Sequence, residues 1–128
     1  MGIVLPILLA VMGIAMAIIW TRDILAGEHV DLSAGVFRAR EAETGTLFWP
    51  HWLAEYATAC ALVVGGVGLL FDTNWAQMIA AIGTGALLYT SMNSLGWAFA
   101  RRERWPYASP MLAGLALGVL SVVFLLLR

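Results

Sequence analysis

The chain has 128 residues, is 62% hydrophobic and 12% charged, and carries a net charge of −1 at pH 7. A soluble domain is about half apolar and a quarter charged, so a mean hydropathy of +0.87 excludes one and makes lipid the expected solvent. The charge balance excludes binding driven by nucleic-acid phosphates, and a lone cysteine, Cys60, excludes an intrachain disulfide and Cys-rich zinc motifs.

Four apolar stretches follow one another, at about 3–20, 47–71, 75–99 and 108–127. Each supplies the ~20 residues that a helix needs to cross the hydrocarbon core. The expected fold is therefore all-α, one polytopic membrane domain over residues 1–128 forming a four-transmembrane-helix bundle. The first stretch lacks a basic leading region and runs into Trp20-Thr21-Arg22, an interfacial aromatic and a charge, which argues against a cleaved signal peptide.

The first loop, 21–46, carries most of the loop chemistry. Residues 31–43 are compatible with a short interfacial helix, Leu32, Val36 and Phe37 on one face and charges on the other; a solvated loop is the alternative. Pro50 suits the first turn of the second helix. Asp72-Thr73-Asn74 is a tight turn that forces spans two and three to be antiparallel neighbours and offers caps for the third span. The third loop is 100–107.

Arginine placement predicts sidedness. Loops one and three hold Arg22, Arg38, Arg40, Arg101, Arg102 and Arg104, against Arg128 alone on the other side. The positive-inside rule puts these two loops in the cytoplasm and both termini outside, with a prokaryotic plasma membrane as the expected location.

Small residues are expected to pack the helices, because lipid gives them no hydrophobic reason to associate. Gly65, Gly66 and Gly68 face Ala80, Ala81, Gly83 and Gly85 across the tight turn. Gly13 and Ala17 mark span one. Gly114 and Gly118 form a GxxxG in span four, either an internal seam or an oligomer contact.

The polar residues of the spans are grouped. His51, Glu55 and Thr58 share a face early in span two, and Tyr89, Asn93 and Trp97 share one late in span three. In an antiparallel hairpin the two groups lie at one depth, with Glu55 roughly 9 Å in from the helix start. A carboxylate there must be protonated, hydrogen-bonded, paired or hydrated. His51, Glu55, Thr58, Tyr89, Asn93 and Trp97 are thus the candidate ligand-binding residues of an inner-leaflet pocket. The competing structural reading is hydrogen bonding between helices and an ordinary aromatic belt.

Three functions fit this cluster. One is a pocket for a lipophilic ligand of the quinone, isoprenoid or lipid class. Another is proton transfer on such a ligand, with Glu55 and His51 as the catalytic acid and base. The third is an accessory subunit of a larger membrane complex or a homo-oligomer. Metal and haem are not expected: His51 and Glu55 supply two ligands where three are usual, and His29 beside Glu28 is the nearest further donor.

Ala54-Glu55 followed by an apolar run ending Gly65-Gly66-Val67-Gly68-Leu69-Leu70 resembles the second helix of DoxX-like four-helix membrane proteins over about 45 residues. That resemblance implies a lipophilic redox partner such as a quinol. His51-Trp52-Leu53-Ala54-Glu55 also resembles EXPERA-type sterol isomerases, which use intramembrane acids and histidines. His51 and Glu55, with Asn93 and Trp97, match that group in kind, while its second intramembrane acid has no counterpart here.

Overall fold

A computed structural model describes residues 2–25, 49–100 and 108–127, apart from the side chains of Asp23, Trp49, Pro50, Trp97, Ala98 and Ala100. The expected interfacial helix over 31–43, His29 and the loop arginines after Arg22 lie outside the described residues. The described chain is all-α. Its helices are α1 (Val4–Leu25), α2 (Trp49–Leu70), α3 (Ala76–Ala100) and α4 (Ala108–Leu126).

The last three agree with the expected spans to within a few residues. α1 runs five residues past the expected boundary at Trp20. The apolar stretch ends there, but the backbone does not: Arg22 lies in the last turn, where a cation favours the helix dipole. Thr21 and Arg22 are therefore helical.

Three helices are long and apolar enough to cross a membrane: Val4–Arg22, His51–Leu70 and Ala108–Leu126, with mean hydropathies of 2.4, 1.7 and 2.2. α3 is the longest, at 25 residues, but falls outside that group. Gln77, Thr84, Thr90, Ser91, Asn93 and Ser94 lower its hydropathy. The helices are apolar on their outward faces as well. Only 22% of the α4 window is buried, and Ile7, Val11, Ile14 and Ile18 of α1 are exposed. A helix apolar all round belongs in a core or in lipid, and here no core among the described residues covers it.

Each helix packs on its sequence neighbour, and α1 meets α4 only lightly. Leu9, Leu62, Leu87 and Leu117, one from each helix, lie in a common core. Glycines set the spacing. A Cβ on Gly66 would lie 2.6 Å from the Pro6 carbonyl oxygen, and one on Gly13 would lie 2.5 Å from that of Ala59. α1 and α2 thus meet backbone to backbone. A Cβ on Gly65 would lie 2.6 Å from the Ala80 nitrogen, so Gly65, Gly68, Ala80 and Gly83 form the expected seam between α2 and α3, whereas Gly66 faces α1 and Ala81 and Gly85 are exposed. Gly114 and Gly118 face Ser91 and Leu88 of α3, so the GxxxG is an internal seam.

The turn after α2 is built on Asp72, whose φ of 52° is left-handed. The Thr73 N–H donates to the Gly68 carbonyl (3.1 Å) and the Asp72 N–H to that of Leu69 (3.3 Å), the Schellman pattern. The Thr73 hydroxyl donates to the same Gly68 oxygen at 3.1 Å. Its side chain thus closes α2 instead of capping α3.

Candidate functional site

The polar face of α2 is buried against α1. Glu55 is 3% exposed, and its Oε1 lies 3.6 Å from His51 Nε2, one turn away. That separation allows an ion pair but exceeds a hydrogen bond. The pair is electrically neutral in two forms, carboxylic acid with imidazole or carboxylate with imidazolium. Either form avoids an isolated charge at this depth. Oε1 accepts no hydrogen bond from any described residue.

α1 contributes Trp20. Its indole N–H donates to the Glu55 carboxylate, and its ring stands edge-on to the His51 ring, centroids 5.1 Å apart at 77°. Trp20 and Trp52 are both buried and form a small second core with Ile24 and Tyr56. The carboxylate is therefore enclosed by aromatic rings and one imidazole. Beside it, the Thr21 hydroxyl and the Tyr56 phenol share a hydrogen bond of 2.7 Å that ties α1 to α2. Thr58 is buried, but its hydroxyl donates to the Ala54 carbonyl at 2.8 Å, within its own helix.

The candidates on α3 lie elsewhere. Tyr89 is 72% exposed and Asn93 is exposed. They do share a face, four residues apart, but that face is the outward one. The packed face of α3 follows Ala76, Ala80, Thr84, Leu87, Ser91 and Ser94, on the opposite side of the helix. The α3 hydroxyls are partnered locally where they are partnered: Thr90 donates to the Leu87 carbonyl at 3.3 Å. The Trp97 side chain lies outside the described residues. The structure therefore brings His51, Glu55 and Thr58 to one helix face and adds Trp20, Thr21, Trp52 and Tyr56, while Tyr89 and Asn93 are not part of that assembly.

Sequence reasoning read Trp20 and Thr21 only as a membrane boundary. The signal was present, since the end of α1 and the start of α2 flank the same loop and so lie at one depth. A 23-residue stretch between the helices, 26–48, does not force adjacency as the tight turn does.

A groove of about 640 Å³ runs between α1 and α2. Its walls are apolar, with Gly13, Ala17 and Ile18 on one side and Ala59, Val63 and Val64 on the other. The groove exists because three of these residues are Gly or Ala, so two closely packed helices leave a gap in their side-chain surface. One end is polar, formed by Thr21, Arg22 and Tyr56. Cys60 also lines it and is exposed. Among the described residues no three of His, Cys, Asp and Glu come together as a metal site.

No curated protein and no solved structure matches this chain. The sequence pattern of the family described as Domain of unknown function (DUF8058) matches residues 3–128, so the chain belongs to that family.

Proposed function

We propose that this protein spans the membrane four times and binds a lipophilic ligand with one polar head in the α1–α2 groove. α3 crosses because it is packed between α2 and α4, and its 25 residues are about 38 Å long, more than the ~30 Å hydrocarbon core. The arginine bias puts the Thr21–Tyr56 end of the groove in the inner leaflet.

One observation carries the binding reading. The groove is apolar along its length and polar only where Thr21, Arg22 and Tyr56 meet. Apolar walls with a few convergent polar groups are the usual chemistry of a ligand pocket. The Thr21–Tyr56 hydrogen bond uses one hydroxyl proton and leaves the other to donate, and the guanidinium also donates, so the fitting head carries acceptor oxygens, as a quinone carbonyl does. An isoprenoid or acyl chain fits the walls. Glu55, His51 and Trp20 stand behind the head and fix the helix pair that presents it.

A second reading, proton transfer to or from the bound head, has its own support. Buried Glu55 and partly exposed His51 form a pair that can hold one proton in two arrangements. Glu55→Gln separates the readings: it abolishes turnover if the pair is catalytic and only weakens retention if the pair positions the site.

Quenching of tryptophan fluorescence by a short-chain benzoquinone tests the binding reading, since Trp20 and Trp52 pack with Tyr56, which lines the groove's polar end. The wild type shows saturable quenching. Ala17→Leu with Cys60→Phe fills the groove and raises the half-saturation concentration about tenfold. Quenching that rises linearly in both proteins, as simple partition into lipid would give, contradicts the proposal.

A further inference from the structure

We propose that His51 and Glu55 form a proton-exchange site: the buried carboxyl trades its proton, through the partly exposed imidazole, with water at the end of the bundle where α2 begins. The inference goes beyond proton transfer to a bound head. It needs no ligand, and neither residue lines the groove.

The carboxyl is left half satisfied. Glu55 is buried, and the Trp20 indole N–H donates to its carboxylate, whereas Oε1 accepts no hydrogen bond from any described residue. A buried acceptor without a donor is costly. A proton on Oε1 removes that cost, because it turns the unmet acceptor into an O–H donor. The acceptor next to it is His51 Nε2, 3.6 Å away, and a small side-chain rotation closes that gap to a hydrogen bond.

Access comes from one end. His51 lies in the first turn of α2 and is 28% exposed, one turn nearer the helix start than Glu55. Toward the middle of the bundle the path stops. Thr58 has its proton committed to the Ala54 carbonyl at 2.8 Å, and beyond it Leu9, Leu62 and Leu87 are fully buried. The next buried hydroxyl without a hydrogen bond is that of Thr84. Its neighbour Gly83 abuts Ala61 and Leu62, so Thr84 stands about six residues, roughly 9 Å, past Glu55 along the axis, too far for a hydrogen bond.

Few other groups bear on the proton among the described side chains. α1 brings Arg22, which is exposed and lines the groove, and α2 brings Tyr56, whose phenol is bonded to Thr21. α3 has hydroxyls at this level, Thr90, Ser91 and Ser94, while its Tyr89 faces outward. α4 has no ionisable side chain from 108 to 127.

The exchange balances without a co-reactant. The Oε1 proton passes to Nε2, giving carboxylate and imidazolium. The ring turns its Nε2–H to interfacial water and trades that proton for another. The reverse step returns the new proton to Oε1. The pair stays electrically neutral throughout, which suits its depth.

Infrared spectra of the full chain in lipid vesicles, moved from H2O to D2O, test this. The carbonyl stretch of a protonated carboxyl that disappears in Glu55→Gln identifies the group. In the wild type that band is expected to shift as soon as the solvent is exchanged. His51→Phe, which keeps a ring against Trp20, and His51→Ala are each expected to slow the shift about a hundredfold, the scale of a lost acid–base group. Dissolved imidazole is expected to restore fast exchange in His51→Ala, which a merely structural role for His51 does not predict. Thr84→Val is expected to leave the rate unchanged. A Glu55 band absent from acid to alkaline pH, one that never shifts in the wild type, one that shifts equally fast without His51, slow exchange that imidazole does not restore, or equal slowing in Thr84→Val would each overturn the proposal.

Discussion

At the residue scale, Glu55 organises the candidate site. It is buried, 3.6 Å from His51 Nε2, and accepts the Trp20 indole N–H. Trp20→Phe keeps the ring packing but removes that donor, leaving a buried acceptor unmet. Such a loss costs about 1–3 kcal/mol, so unfolding in bicelles should register it, while His51→Phe with Glu55→Leu together should cost less than Glu55 stripped of its partners. Tyr56→Phe removes the phenol bonded to Thr21, a smaller loss of about 0.5–1.5 kcal/mol. The same variant should weaken retention of a benzoquinone head more than it weakens the fold. Unchanged retention would remove Tyr56 from the head site.

At the element scale, the glycines separate two kinds of helix face. Gly66→Leu must push α1 away from α2, because the new side chain would start 2.6 Å from the Pro6 oxygen. Overpacking of this kind costs about 1–3 kcal/mol, and a backbone obstacle places Gly66 at the upper end. Gly85→Leu should leave the stability of the single chain unchanged, since its Cβ has nothing within 4 Å. Thermal unfolding of the two variants under dilute conditions checks the contrast, and equal losses would contradict the packing described. Much of this level was legible in the sequence. Apolar stretches bounded by Trp, Gly, Asp and Arg marked the helices, and Gly65 marked the seam with α3, while Gly66, expected in the same seam, faces α1. The end of α1 was misplaced because hydropathy reports where lipid ends, not where the helix ends. The facing of α3 was not legible: Tyr89 and Asn93 show which residues share a face, but not which face is inward. That depends on Leu87, Ser91 and Ser94 packing toward neighbouring helices, a tertiary fact outside the sequence pattern.

At the scale of the whole molecule, four helices in sequence order leave a loosely joined α1–α4 edge, an apolar groove between α1 and α2, and an unusual outer face on α3. The binding proposal includes a membrane topology with the groove's polar end toward the cytoplasm. Cysteines placed near Gly2 and at Asn74 should therefore react with an impermeant maleimide added outside intact cells. The central claim is the occupied groove, and native mass spectrometry of the chain released gently from its own membrane tests it most directly. A discrete adduct of one mass, reduced in Tyr56→Phe and in Ala17→Leu with Cys60→Phe, is the expected result. Chains carrying only the common membrane lipids, in the same proportion for wild type and variants, would contradict it.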